Sequence, residues 1–257
     1  MEKINNYSKL LQTILDIAEE MLVAGAEVSR VEDSVERMCR AYGCDRINAF
    51  VITSNIQVTM EAPDGEIITQ IRRIVRNDVN FDRLDYLNDL SRYICAKKPD
   101  LQQLGDHFEQ VMNRKIYSVW MKYLAAILIA GGFTVFFGGN LLDSAASALI
   151  GVVVIRLLDV LSRRDNNLLA ANFVVSFAAG LLSIALVHLG LGIHTDKIMI
   201  GVIMIQIPGI AMTNAIRDML IGDLATGLLR LINSLLLAAA IACGFALSIL
   251  VTGGGIL

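Results

Sequence analysis

The chain has 257 residues, of which 55% are hydrophobic and 18% charged, and its net charge is -3. This composition is more apolar than that of most soluble proteins and has no basic excess, which argues against a nucleic-acid partner. Residues 1–118 hold 15 Lys/Arg and 19 Asp/Glu, whereas residues 119–257 hold 7 and 6. The sequence therefore predicts a water-exposed domain over residues 1–116 and a membrane domain over residues 117–257.

The N-terminus does not have the pattern of a signal peptide. Acidic residues interrupt any apolar core there, at Glu2, Asp16, Glu19 and Glu20. We expect this domain to stay in the cytoplasm. The four cysteines are scattered, with no CxxC pair and no histidine at metal-ligand spacing, at Cys39, Cys44, Cys95 and Cys243. This pattern predicts reduced thiols, no metal and no cofactor.

Two helices are predicted at the start of the chain. Apolar residues recur every three or four positions over residues 8–23, at Leu11, Ile14, Ala18 and Met21. Gly25 ends this helix, and a second follows to Gly43, with Val28, Val31, Val35, Met38 and Tyr42 on one face. Such spacing places each set on one side of a helix and predicts an αα-hairpin.

The period changes to two after Gly43, which predicts strands. A β-rich run covers Ile47–Thr53, and apolar residues then alternate at Ile56, Val58 and Met60. Pro63-Asp64-Gly65 turns the chain into a third strand near Ile67–Val75. Two more helices are expected, with apolar faces at Leu84, Leu87, Leu90 and Ile94 and at Leu101, Leu104, Phe108 and Val111. The predicted order is ααβββαα, a small α+β domain.

The densest polar cluster of this domain lies on the second helix, at Glu27, Arg30, Glu32, Asp33, Glu36 and Arg37. Residues three or four apart can pair there along the solvent face. The alternative is a docking or regulatory surface that includes Gly25, Glu27, Arg30 and Glu32. No phosphate loop or nucleophile elbow is present, and only Ser29 or Ser34 with His107 could form a hydrolase pair, so we do not expect an enzyme.

Five apolar stretches follow, over Val119–Phe137, Leu141–Leu161, Leu168–Leu189, Ile198–Met212 and Leu228–Val251. Each approaches the length needed to cross a bilayer, although the fourth is short and contains Pro208-Gly209. The fold prediction is an α-helical membrane protein of about five transmembrane helices preceded by a soluble α+β domain.

Positive loop residues lie on one side, at Arg114, Lys115, Lys122, Arg163, Arg164 and Arg217. Only Lys197 lies opposite, which predicts a cytoplasmic N-terminus and an external Gly253-Gly254-Gly255 tail.

Polar residues inside the spans are costly and are therefore candidates for function. The second span contains Asp143, Arg156 and Asp159, and the last two could simply pair on one helix face. The third contains Asn172 and Ser176, which could join helices instead of binding substrate.

The third polar set follows the Pro208-Gly209 break and comprises Thr213, Asn214, Arg217, Asp218, Asp223, Thr226 and Arg230. A broken helix offers unpaired backbone groups and a partial positive charge, which transporters use to bind small anions. We therefore predict a substrate site here. The alternative is an ordinary cytoplasmic loop with solvated charges.

Two stretches resemble the threonine/serine exporter (ThrE) family, in its shorter YjjP-like branch. They are Gly25-Ala26-Glu27-Val28-Ser29-Arg30-Val31-Glu32, and Pro208-Gly209 with Thr213-Asn214-Ala215-Ile216-Arg217-Asp218, Gly222-Asp223, Gly227 and Arg230. Asp78-Val79-Asn80-Phe81-Asp82-Arg83-Leu84 and the order of domain before spans agree with this resemblance.

The resemblance implies a subunit of an exporter in the bacterial inner membrane. The implied substrates are threonine and serine for the long members, and succinate-like dicarboxylates for YjjP-like members with a small YjjB-like partner. The long members have about ten spans, so this chain looks like half of a split transporter, and we expect a partner subunit or a homo-oligomer. The alternative is a membrane-anchored sensor or scaffold, although intramembrane polar residues argue against a passive anchor.

Overall fold

The structure is a computed structural model that describes residues 6–76, 79–114, 118–164 and 167–253, with the backbone alone for residues 162–164. Several residues named above lie outside the described part: Glu2, Asp78, Lys115, Gly254, Gly255 and the side chains of Arg163 and Arg164. The chain divides into two compact units. The first comprises Met1–Ile116 and Asn214–Arg230, and the second Tyr117–Thr213 and Leu231–Leu257.

The first unit begins with the predicted order of elements. These are α1 (Tyr7–Val23), α2 (Val28–Ala41), β1 (Asp45–Ile52), β2 (Asn55–Glu61), β3 (Ile67–Arg73), α3 (Phe81–Lys97) and α4 (Leu101–Met112). The strands form an antiparallel sheet in the order β1-β2-β3, with Val51 opposite Ile56 and Thr59 opposite Thr69. The prediction of a small α+β domain is confirmed.

One hydrophobic core holds these elements together. The predicted faces of α1 and α2 are buried except for Tyr42, which follows the end of α2 and is half-buried. The inward side of β2 is also buried and alternates with exposed or half-buried positions. Each large aliphatic side chain buried in this way contributes about 1.5–3 kcal/mol. The residues with no exposed surface include Leu11, Ile14, Met21, Val35, Met38, Ile56, Val58 and Met60.

The rest of the chain is helical: α5 (Val119–Phe136), α6 (Leu141–Arg164), α7 (Leu168–His188), α8 (Thr195–Ile203), α9 (Gly209–Ile221) and α10 (Leu224–Val251). Within the described residues, four helices are long and apolar enough to cross a membrane, namely α5, α6, α7 and α10. This is one fewer than predicted. The expected fourth span is divided into α8 and α9, because the chain leaves the helix at Met204 and Pro208 has no N–H to continue it.

The contacts of the second unit fix the directions of its helices. Asp143, in the first turn of α6, accepts hydrogen bonds from the backbone of Ile193 and His194, which immediately precede α8. Helices α6 and α8 therefore start at the same end of the unit, where α7 finishes. Small residues allow the helices to approach closely, and Thr134 of α5 donates to Ser147 of α6 at 2.7 Å.

Helix α10 runs parallel to α7. A Cβ atom on Gly180 of α7 would lie 2.0 Å from Ser248 Oγ, and one on Gly244 would lie 2.6 Å from the carbonyl oxygen of Phe173. Position numbers therefore rise together along the two helices, and α10 finishes at the end where α8 starts. Between these two helices the chain continues through α8, a non-helical segment and α9.

Candidate functional site

A tight loop joins α1 to α2 and presents backbone groups of the first motif. Gly25 has φ of 101°, a conformation that strains residues with a Cβ atom. The N–H groups of Gly25 and Ala26 donate to carbonyls of the last turn of α1, those of Leu22 and Met21. This arrangement ends α1 and leaves Glu27 as the N-terminal flanking residue of α2.

Glu27 and Arg217 form an ion pair between the two motifs. The guanidinium Nη1 of Arg217 donates to Glu27 Oε1, although the residues are 190 positions apart. The Glu27 side chain is 17% exposed and that of Arg217 is 58% exposed. The pair therefore has one largely buried partner and one partner open to solvent.

Arg230, in α10, makes a second link to the first motif. Its Nη2 donates to the carbonyl oxygen of Ala26 at 3.0 Å, and its Nη1 donates to Asp218 Oδ2 at 2.9 Å. Glu27, Arg217, Asp218 and Arg230, with the Ala26 carbonyl, constitute what we call the junction cluster. It ties the α1–α2 loop to the end of α9 and the beginning of α10, on either side of the connecting segment Gly222–Asp223.

Asp223 caps α10 in this segment. Its Oδ1 accepts from the backbone N–H of Thr226 at 3.4 Å, while the hydroxyl of Thr226 is buried with no hydrogen-bond partner in the described structure. Thr213 donates to the carbonyl of Gly209 in its own helix, and Asn214 is half-buried. Pro208 and Gly209 stand at the start of α9. Of the residues predicted after the break, Arg217, Asp218 and Arg230 thus lie together in the cluster.

The remaining charges of α2 have separate environments. Arg30 is exposed, whereas Glu32 is half-buried and accepts the backbone N–H of Val51. Burial raises the pKa of Glu32 above its ordinary value, the Val51 N–H opposes this, and the negative charge of Asp223 adds to it. The exposed face carries the pairs Arg37–Asp33 and Arg40–Glu36 at the expected helical spacing.

The polar residues of the predicted spans are distributed over the second unit. Asp159 Oδ1 lies 4.0 Å from Lys122 Nζ. Arg156 is exposed on α6. Asn172 is buried on α7 and donates to the carbonyl of Leu168 in its own helix. Asp143 is buried and also contacts the ring of His194. In the first unit, His107 packs edge-on against Tyr93 with ring centroids 4.7 Å apart.

Gln206 is a buried polar residue that was not predicted from the sequence. It lies in the non-helical segment after α8 and is 7% exposed. Ser176 Oγ of α7 donates to its Oε1 at 2.9 Å. Its Nε2 has no hydrogen-bond partner in the described structure. The only sequence signal was an isolated glutamine within the predicted fourth span, two positions before Pro208.

The structure therefore provides two polar centres with different chemistry. The junction cluster, in the first unit, consists of charges that already neutralise one another. The Gln206 segment, in the second unit, offers an uncharged donor at a helix interruption. Neither arrangement brings a nucleophile and a base together.

A comparison with protein-family models matches residues 12–252 to ThrE, described as "Putative threonine/serine exporter". A Mycobacterium tuberculosis protein named "Probable threonine/serine exporter" is 25% identical over 253 residues, which cover 96% of this chain and 47% of the relative. The chain thus spans about half the length of that relative.

Two shorter relatives are covered over most of their length. Proteins named "Probable succinate transporter subunit YjjP" in Klebsiella aerogenes and Escherichia coli are each 24% identical over 234 residues. The matches cover 91% of this chain and 90% and 91% of the two relatives. No solved structure matches the chain.

Proposed function

Because this multi-pass membrane chain belongs to the threonine/serine exporter (ThrE) family, we propose that it is a subunit of an exporter of small hydrophilic carboxylates. The candidate substrates are succinate-like dicarboxylates and the amino acids threonine and serine, which are named for its relatives. All of them carry at least one carboxylate group.

The junction cluster is the observation that carries the proposal. A largely buried arginine on a long apolar helix is costly, and here Arg230 is held by a carboxylate and by a backbone carbonyl of the α1–α2 loop. Arg217 adds a more exposed ion pair to the same loop. A movement of the α1–α2 loop would therefore act directly on the end of α9 and the beginning of α10.

The arginines of this cluster meet substrate only when their present pairs open. In the structure Arg217 pairs with Glu27 and Arg230 pairs with Asp218, so a substrate carboxylate would have to replace one of these partners. We propose that the cluster alternates between this closed pairing and a state in which Arg217 contacts the substrate. Arg217 is the better candidate because its side chain is 58% exposed, against 15% for Arg230.

We also propose that α8, the segment Met204–Pro208 and α9 form a fifth, interrupted membrane crossing. The parallel course of α7 and α10 supports this assignment, because the chain must return between them. An odd number of crossings places the termini on opposite sides. With positive loop residues inside, the N-terminal domain is cytoplasmic and the C-terminus external.

A second membrane subunit completes the transporter in this proposal. Two relatives are named transporter subunits, and α10 leaves many large apolar residues uncovered, such as Leu228, Leu235 and Leu250. Either lipid or another subunit covers such a face. We propose a small YjjB-like protein, or a second copy of this chain, in contact with it.

The sensor or scaffold alternative receives no support from the relatives, each of which is named a transporter or exporter. The proposal is tested by loading expressing and non-expressing cells with labelled succinate, threonine or serine and measuring efflux, with and without a co-expressed YjjB-like partner. We expect faster efflux of at least one substrate when both chains are present. Equal rates in all cells for all three substrates would contradict the proposal.

A further inference from the structure

We propose that the side-chain amide of Gln206 donates a hydrogen bond to a carboxylate of the transported substrate, at the interruption between α8 and α9. This inference rests on the proposed export function and extends it by assigning a carboxylate-binding group.

The oxygen atom of the Gln206 side-chain amide has a hydrogen-bond partner, whereas its nitrogen atom has none among the described residues. Its oxygen accepts the hydroxyl of Ser176 at 2.9 Å, which fixes the orientation of the side chain. Its nitrogen is buried and has no hydrogen-bond partner among the described residues. Buried side-chain donors are almost always paired in folded proteins. An amide that is held in place by one atom and unpaired at the other is therefore suited to receive an acceptor from a ligand.

The position of Gln206 in the unit supports the same conclusion. Ser176 lies near the middle of the 21-residue helix α7, so the amide is far from both helix ends. The chain at Gln206 is not helical, and α9 starts three positions later at Gly209. Interrupted helices near the bilayer midplane are where many transporters bind their substrates.

The chemistry favours a carboxylate as the acceptor. The unpaired group is a donor, and the first turn of the 13-residue helix α9 adds further N–H groups with partial positive charge. An uncharged amide can stay buried without the high desolvation cost of a buried cation. Succinate, threonine and serine share the carboxylate that such a donor binds, so this contact by itself does not separate them.

Two substitutions test the assignment. Gln206→Met keeps the approximate size of the side chain and removes the amide. Gln206→Glu keeps an oxygen for Ser176 but replaces the donor nitrogen with a negatively charged acceptor. Ser183→Ala is the matched control, because Ser183 is also buried on α7 but donates only to the carbonyl of Ala179 in its own helix.

The readouts are efflux from cells and melting temperature of the purified complex in detergent, with and without succinate, threonine or serine. We expect both Gln206 variants to lose at least tenfold in efflux and to lose the stabilisation by carboxylate that the wild type shows. Without substrate, the Met variant should melt close to the wild-type temperature, because removal of the unpaired Nε2 donor offsets the loss of the acceptor for Ser176. Ser183→Ala should retain efflux and substrate stabilisation.

The proposal is overturned if Gln206→Glu exports within twofold of wild type or is stabilised by the carboxylates as wild type is. It is also overturned if both variants melt well below wild type without substrate, since Gln206 would then be a structural residue. Absence of efflux from wild-type cells would refute the export function alone. The melting experiment would still decide whether Gln206 binds a carboxylate.

Discussion

Arg230 Nη1 lies 2.9 Å from Asp218 Oδ2, and the two side chains are only 15% and 2% exposed. The carbonyl of Ala26 accepts a second hydrogen bond from the same guanidinium. Removal of one partner from such a buried pair leaves an uncompensated charge, which is more costly than loss of an exposed pair. We therefore expect the Arg230–Asp218 pair to contribute more to the free energy of unfolding than the other interactions of the junction cluster.

Asp218→Ala should lower the free energy of unfolding by about 3–5 kcal/mol, because Arg230 would remain buried without its carboxylate. Asp33→Ala is the control, because Asp33 pairs with Arg37 at the surface. The Asp33 side chain is 53% exposed and the Arg37 side chain is 70% exposed. Exposed pairs contribute about 0–1 kcal/mol. Chemical denaturation of the detergent-solubilised protein measures both. Equal effects of the two substitutions would show that the Arg230–Asp218 pair has no special structural weight.

Glu32→Gln should alter the pH dependence of stability. Burial raises the folded-state pKa of Glu32 above 4.5, so the folded state binds its proton more tightly than the unfolded state. The wild type therefore gains stability as the pH falls through the raised pKa, and loses that gain as the pH rises. Glutamine keeps an acceptor for Val51 without the charge. The variant should be more stable than wild type at neutral pH, and melting curves from pH 4 to 8 that show the opposite order would contradict this.

Reporter fusions test the interrupted crossing. We expect a cytoplasmic reporter to be active at the N-terminus and an external reporter to be active at the C-terminus. A fusion in the loop between α7 and α8, at Gly192, should report the external side and serves as an internal reference. Termini on the same side would mean that α8 and α9 enter and leave the membrane on one face.

Gly244→Ala should separate α10 from α7. The added Cβ would lie 2.6 Å from the carbonyl oxygen of Phe173 and 2.9 Å from the backbone nitrogen of Phe177, neither of which can move alone. We expect a loss of about 1–3 kcal/mol of stability. Gly132→Ala on α5 is the control, because nothing lies within 4 Å of its added Cβ. A stable Gly244→Ala protein with a melting temperature equal to that of the control would refute the close packing of α7 and α10.

Much of the fold could be predicted from local sequence patterns. Apolar residues at every third or fourth position located α1 and α2, and their alternation after Gly43 located the strands. Each pattern reflects a face that must be buried. The number of continuous spans was wrong by one. Pro208 signalled an interruption, but sequence alone did not show that the helix already ends at Ile203.

The relationships between distant residues could not be predicted. Glu27 and Arg217 were each identified, but no local pattern shows that residues 190 positions apart form an ion pair. The spacing allowed Asp159 to pair with Arg156 on its own helix, but it could not show that Asp159 Oδ1 lies 4.0 Å from Lys122 Nζ on α5. Gln206 was missed because a single polar residue within an apolar stretch has no periodicity, and its importance depends on Ser176 across the unit.

In the proposed exporter, the Glu27 motif and the Arg217 motif act as one element. Charge reversal tests it most directly, through efflux of labelled substrate from cells expressing Glu27→Arg, Arg217→Glu or both, with membrane levels checked in each case. Each single variant places like charges together and should lose most efflux. The double variant restores opposite charges and should recover membrane level and melting temperature, whereas its efflux should stay low because Arg217→Glu removes the guanidinium that contacts the substrate carboxylate. Arg217→Lys, which keeps the charge but not the planar geometry, should be intermediate. Wild-type efflux from both single variants, at normal membrane levels, would contradict the account.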